Sequence, residues 1–120
     1  MASVLVVEDE AFTALALVDE LADLGHIVRD AMDGEAALGM LADFTPDILI
    51  TDLMMPRMSG GELIRHVRGR PGPKLPVVLI TGVPEAKLPS DIGYDAYLSK
   101  PVDHAALGKV IDRLVKPLIT

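Results

Sequence analysis

Three short, unbroken apolar runs are each followed by polar or acidic residues. Ser3-Val4-Leu5-Val6-Val7 gives way to Glu8-Asp9-Glu10, which predicts a strand buried on both faces whose C-terminal end reaches water. Asp47-Ile48-Leu49-Ile50-Thr51 repeats the pattern and again ends on an acid, Asp52. Leu75-Pro76-Val77-Val78-Leu79-Ile80-Thr81 is the third such run, with Pro76 at its start, where a missing amide is tolerable. His26-Ile27-Val28-Arg29 and the weaker Asp95-Ala96-Tyr97-Leu98-Ser99 predict a second and a fifth strand.

Helical spacing fills the gaps. Between Ala11 and Leu24 the apolar residues Phe12, Leu15, Val18 and Leu21 recur at helical intervals, and Gly25 supplies a C-terminal stop. Asp33-Gly34-Glu35 opens an alanine-rich helix through Leu38, Leu41 and Ala42. Leu63, Ile64 and Val67 mark a helix that ends at the Arg68-Gly69-Arg70-Pro71-Gly72-Pro73 turn, and Leu107, Val110, Ile111 and Leu114 mark the last one, from Asp103 onward. Between Thr81 and Asp95, Pro84 and Pro89 forbid a long regular helix, so one helical turn or an ordered loop is expected there.

Strands alternating with helices imply crossover units, hence a parallel sheet with helices on both faces. At 120 residues, with no repeat or interdomain linker, the whole chain 1–120 reads as a single domain. Only four residues are aromatic, so the core must be built from Val, Ile, Leu, Met and Ala. The net charge of -7 repels nucleic-acid phosphates and anionic lipids, which argues against direct DNA binding. No apolar run approaches the ~20 residues of a spanning helix and the N-terminus is not signal-like, so a cytoplasmic protein without membrane attachment is expected. Absence of cysteine excludes disulfides, thiol catalysis and thiolate metal sites.

In an open parallel sheet, ligands bind beyond the carboxyl ends of the strands, where the strand order reverses. Glu8 and Asp9 follow strand 1, Asp52 follows strand 3, Thr81 ends strand 4 and Lys100 follows strand 5. If strands 1, 3 and 4 are neighbours, three carboxylates, a hydroxyl and an ammonium share one crevice. Clustered carboxylates raise each other's pKa values unless a cation neutralises them. An all-oxygen set points to a hard ion, and magnesium commonly uses one or two carboxylates, waters and a phosphate oxygen. A carboxylate beside that ion can act as a nucleophile toward phosphorus, with metal and lysine neutralising the transferring group.

Val4-Leu5-Val6-Val7-Glu8-Asp9-Glu10, Asp52-Leu53-Met54-Met55-Pro56, Leu79-Ile80-Thr81-Gly82 and Tyr97-Leu98-Ser99-Lys100-Pro101 together resemble the motifs of response-regulator receiver domains, in order and over essentially the whole chain. The resemblance implies a flavodoxin-like doubly wound five-stranded parallel sheet in order 2-1-3-4-5. It implies that Asp52 accepts a phosphoryl group from a phosphohistidine on a histidine kinase or histidine phosphotransfer protein. Glu8, Asp9 and the Met54 backbone carbonyl would hold magnesium with Asp52, while Thr81 and Lys100 would bind the phosphoryl oxygens. Thr81 and Tyr97 would form the switch pair that changes the face shown to a downstream protein, and Lys100-Pro101 would be cis. Such a domain is not an enzyme but a phosphoacceptor that assists its own phosphorylation and dephosphorylation.

Plainer readings stand beside these. Taken singly, acids after a strand are often loop solubilisers, and Thr81 could bond its hydroxyl locally. Tyr97 could be a static edge-strand aromatic. His26, His66 and His104 read as surface or packing residues, Met54, Met55 and Met58 as packing under the active-site loop, and Arg65, Arg68 and Arg70 as a solvated face. A flavin-binding flavodoxin shares the topology but wants hydroxyls and glycines where Glu8-Asp9-Glu10 stands. An aspartate-nucleophile phosphatase would carry Asp-x-Asp after strand 1, which is absent. A scaffold that keeps the acids without using them is the third alternative.

Two features depart from the family pattern. The stretch from Thr81 to Tyr97 is short and proline-bearing, as in a group of bacterial receivers that includes single-domain regulators and the receivers of hybrid kinases. It puts the usual face of helix 4, strand 5 and the last helix in doubt and shifts partner binding or homodimerisation toward the first and last helices. The apolar Met54 cannot orient an attacking water, so slower self-dephosphorylation than in a Met54→Asn variant is expected. The tail Lys116-Pro117-Leu118-Ile119-Thr120 suits a stand-alone regulator and a piece of a longer protein equally.

Overall fold

The computed structural model describes residues 2–115; the tail Lys116-Pro117-Leu118-Ile119-Thr120 lies outside the described residues. Its elements are β1 (Ser3–Val7), α1 (Ala11–Asp23), β2 (Ile27–Ala31), α2 (Gly34–Leu41), β3 (Ile48–Asp52), α3 (Gly60–Arg68), β4 (Val77–Thr81), a 3-10 turn (Glu85–Lys87), β5 (Ala96–Ser99) and α4 (His104–Leu114). The strands form one parallel sheet in the order β2-β1-β3-β4-β5.

The continuous apolar runs are central strands because both of their faces are covered. Val4, Val6, Ile48, Ile50, Val78 and Ile80 turn toward α1 and α4 and meet Leu17, Leu21, Leu107 and Ile111. The alternate residues Leu5, Val7, Leu49, Val77 and Leu79 turn to α2 and α3 and meet Ala37, Leu41, Leu63, Ile64 and Val67. Alternation of successive side chains thus distributes each run between two cores. The edge strand β2 is mostly exposed and extends past the predicted Arg29 to Ala31, because Ala31 pairs with Val7 and its carbonyl accepts from the Glu8 amide, 3.1 Å.

Helix starts follow side-chain capping. Asp33 accepts from the Ala36 amide at 2.8 Å, Asp103 from Ala105 at 2.9 Å, and Ser59 and Glu62 form a reciprocal capping box at α3. Gly25, with φ +92°, takes the left-handed position after α1 that only glycine adopts without strain.

The apolar stripe of α1 differs from the expected one. Ala14, Leu17 and Leu21 are buried, whereas Phe12 and Leu15 are 84% and 57% exposed. At 3.6 residues per turn, steps of three slide around the helix by roughly 60° each. The series 12, 15, 18, 21 therefore cannot stay on one face, while 14, 17, 21 can.

The stretch between β4 and β5 contains only the 3-10 turn, as its prolines require. Leu88, Ile92 and Tyr94 pack it onto the α2–α3 core. Arg68 holds it from α3: its Nε and Nη2 donate to the Gly93 carbonyl at 3.1 and 2.8 Å, Nη1 donates to the Leu75 carbonyl, and Nη2 meets Asp95 at 2.8 Å. Arg70 donates to the Leu41 carbonyl at 3.0 Å. Two of the three arginines expected on a solvated face are thus structural ties, because a guanidinium can satisfy several backbone carbonyls that lack ladder partners. Arg65 remains exposed, 3.6 Å from Asp91.

Asp95 is the hub of this corner. Burial pushes its carboxyl up, but Lys74, the Val77 amide and Arg68 overcome that and hold it below its ordinary value of 3.8. A carboxyl with a lowered folded pKa stabilises the fold above its ordinary value, and that stability is lost as pH falls toward the folded one. Asp95→Asn is expected to destabilise the domain by about 1–3 kcal/mol near neutral pH. In urea unfolding across a pH series, the gap between wild type and variant should close as pH drops below about 4. A gap that stays constant would mean that the ion pairs are not its source.

Candidate functional site

Parallel register explains how distant residues meet. Val7 lies opposite Thr51, so Glu8 and Asp52 leave adjacent strands side by side. Asp52 lies opposite Ile80, and Thr81 opposite Ser99, which places Lys100 one residue beyond on the far side of β4. Lys100 Nζ reaches back to Asp52 Oδ2 and Glu8 Oε1, both at 2.8 Å. Its backbone runs through a cis Lys100–Pro101 bond, as the motif implied. One oxygen each from Glu8, Asp9 and Asp52 lie within 4.8 Å of one another, with Glu8 and Asp52 buried and Asp9 exposed.

Both oxygens of Asp52 are held. Oδ1 accepts from the Leu53 amide at 2.7 Å and from Met54 at 3.4 Å, while Oδ2 takes Lys100. Burial pushes the Glu8 carboxyl above its ordinary value, against the pull of Lys100 and the Glu10 amide, and the neighbouring Asp52 charge adds to the rise. Burial alone would lower the Lys100 ammonium, but its bonds to Asp52 and Glu8 outweigh this and hold it above 10.5. One ammonium against three carboxylates leaves two negative charges unbalanced, which a divalent cation matches. The all-oxygen donor set, open to water through Asp9, fits a hard ion of the magnesium type.

Thr81 is buried, and its hydroxyl oxygen accepts from the Val83 amide at 3.1 Å; among the described residues that hydroxyl makes no bond to Asp52 or Lys100, although the Thr81 carbonyl accepts from the Lys100 amide at 3.0 Å. Tyr97 is half-buried against the α2–α3 core, and its hydroxyl donates to the Val83 carbonyl at 2.6 Å. The two therefore grip the same residue of the β4–β5 connection. Met55 and Met58 pack under the loop as expected, but Met54 is 67% exposed and does not. The turn that directs the Leu53 and Met54 amides at Asp52 leaves the Met54 side chain facing water. His26 packs, its Nδ1 accepting from the Ala2 amide at 3.0 Å, His104 lies 3.4 Å from Glu20, and His66 is exposed.

Gly60 is a site residue that composition and spacing do not reveal. A Cβ there would stand 2.1 Å from the Asp52 carbonyl oxygen and 2.9 Å from Leu53 Cα. Its amide donates to the Leu53 carbonyl at 2.8 Å, so the α3 N-terminus is pressed directly against the turn that carries Asp52. The Ser59-Gly60-Gly61-Glu62 box locates the helix start but not this approach.

A sequence model described as the response regulator receiver domain matches residues 4–112. The chain belongs to the response regulator receiver family. Among curated relatives, this receiver is 41% identical over 101 residues to the response regulator MprA of Mycobacterium tuberculosis, covering 82% of the chain and 44% of that protein. The receiver thus spans less than half the length of the curated relatives that it matches. Its fold is similar to the chemotaxis response regulator CheY4 of Vibrio cholerae, with TM-score 0.84 and 31% identity over 95% of this chain and 98% of that one. It is also similar to the signal receiver domain of a signal transduction histidine kinase from Syntrophus aciditrophicus, with TM-score 0.87, 28% identity, and 100% and 98% of the two chains covered. The receiver has the flavodoxin-like sheet of this family, and its role lies in two-component signalling. No helix among the described residues is long and apolar enough to cross a membrane.

Proposed function

We propose that this receiver is a phosphorylation switch in which Asp52 takes a phosphoryl group from a phosphohistidine on a histidine kinase or histidine phosphotransfer protein. The observation that carries the reading is the Lys100 ammonium set between Asp52 and Glu8 beside the exposed carboxylate of Asp9. A carboxylate oxygen of Asp52 forms the new bond to phosphorus as the nitrogen–phosphorus bond of the donor breaks, and the imidazole nitrogen released takes a proton from solvent. The Leu53 amide and Lys100 hold the two carboxylate oxygens in place for that attack. Glu8, Asp9, Asp52 and the Met54 backbone carbonyl would hold magnesium, which supplies charge neutralisation on the transferring group. The domain is a phosphoacceptor rather than an enzyme acting on a separate substrate, and it works in the cytoplasm.

Switching rests on Val83. A phosphoryl group adds negative charge and acceptor oxygens beside Lys100, and a Thr81 hydroxyl that turns to meet them gives up its bond from the Val83 amide. Tyr97, bonded to the Val83 carbonyl, follows. A downstream protein that prefers one arrangement then shifts the balance between them. With no full helix between β4 and β5, partner binding or homodimerisation falls to α1 and α4.

The direct test is transfer of labelled phosphate from a phosphohistidine donor in magnesium and again after chelation. The label should form on Asp52 in magnesium and fall by about tenfold or more in chelator. A chain that takes no label in either condition is a scaffold. Met54→Asn, which places an amide where a thioether now faces water, is expected to shorten the phosphoryl half-life by roughly threefold or more through orientation of the attacking water. An equal or longer half-life in the variant would reject that role for Met54.

A further inference from the structure

The chain has six methionines and no cysteine, so thioethers are the only sulfur groups that an oxidant meets. Burial ranks those described. Met54 and Met32 are 67% and 68% exposed, whereas Met40, Met55 and Met58 are half-buried against the α2–α3 core. Met54 has a second distinction: its backbone amide lies 3.4 Å from Asp52 Oδ1, so its exposed side chain leaves the chain at a residue that borders the phosphoacceptor carboxylate. Met32 follows the edge strand β2, with β1 between it and β3.

We infer that Met54 is an oxidation site through which peroxides shorten the life of the phosphoryl group on Asp52, an inference that rests on the phosphoacceptor reading above. A lone pair on the thioether sulfur attacks one peroxide oxygen as the oxygen–oxygen bond breaks. The sulfur is oxidised by two electrons to the sulfoxide, and the second oxygen is reduced and leaves, with the protons of the peroxide, as water or an alcohol. The sulfoxide oxygen is a polar hydrogen-bond acceptor where the thioether was apolar. It holds water beside the phosphoacceptor, as the amide of Met54→Asn would, and hydrolysis of the acyl phosphate quickens. Methionine sulfoxide reductases reverse the change, so it acts as a second input to the switch rather than as permanent damage.

The experiment treats the full chain with hydrogen peroxide in magnesium buffer and maps the gain of about 16 Da per oxygen on each methionine peptide. The half-life of the label from a phosphohistidine donor is then measured in wild type, Met32→Leu and Met54→Leu, each with and without peroxide. Met54 and Met32 should be oxidised ahead of Met40, Met55 and Met58. Peroxide should shorten the half-life several-fold in wild type and Met32→Leu, leave that of Met54→Leu where it was, and lose its effect after reductase treatment. Oxidation of Met54 no earlier than of the half-buried methionines overturns the inference, as does an unchanged half-life once Met54 is oxidised or a Met54→Leu variant that responds like wild type. Failure of untreated protein to take label brings down the phosphoacceptor reading and this inference together; label that forms but ignores peroxide brings down this inference alone.

Discussion

Asp52→Asn is expected to take no label from a phosphohistidine donor while remaining as well folded as the wild type. The amide is nearly isosteric, can still accept from the Leu53 amide at the position of Oδ1, and leaves Lys100 paired with Glu8. Its nitrogen carries no lone pair fit to attack phosphorus. Loss of one of two neighbouring buried carboxylates also removes a charge that raises the Glu8 pKa, so the substitution relieves repulsion. The change in unfolding free energy should therefore lie within about 1 kcal/mol of zero, in either direction. Labelling and calorimetry on the same preparation separate chemistry from folding. Label retained by a folded Asp52→Asn protein would place the acceptor elsewhere and end the proposed function.

Gly60→Ala should do the reverse, damaging the fold first. The added methyl would meet the Asp52 carbonyl oxygen at 2.1 Å and the Asp52 carbonyl carbon at 3.0 Å, both backbone atoms that no rotamer change can move aside. Either α3 retreats or the end of β3 shifts, and both routes break the 2.8 Å bond from the Gly60 amide to the Leu53 carbonyl. Overpacking of this kind costs about 3 kcal/mol or more, a large share of the stability of a small domain. The melting temperature should fall by roughly 10 °C or more. Gly39→Ala is the control: the position lies in α2 with nothing within 4 Å, and alanine there should stabilise by about 0.5–1 kcal/mol through helix propensity alone. A Gly60→Ala melt that matches wild type would show that the close approach is not real.

These two substitutions mark what could and could not be seen in the unfolded chain. Asp52 is conspicuous because a buried apolar run stops on it, and the same local signal exposes Glu8, Asp9, Thr81 and Lys100. Gly60 carries no such signal, since its role depends on a carbonyl eight residues earlier in the chain. Arg68 is similar. In the sequence it is one of three arginines near a turn, and only the folded chain brings it Gly93, Leu75 and Asp95 as partners.

The order of residues along the chain by itself determined where strands and helices form, which strands lie in the middle of the sheet, and which side chains stand at their carboxyl ends. Those properties follow from alternation, helical period and capping, all of which act over a few neighbouring residues. Tertiary structure alone decided which face of α1 is buried, how Arg68 ties down the shortened β4–β5 connection, that Met54 faces water, and that Lys100 closes on Glu8 across 92 positions. Each of these depends on contacts between elements distant in sequence, and such contacts exist only once the parallel register has set the strands side by side.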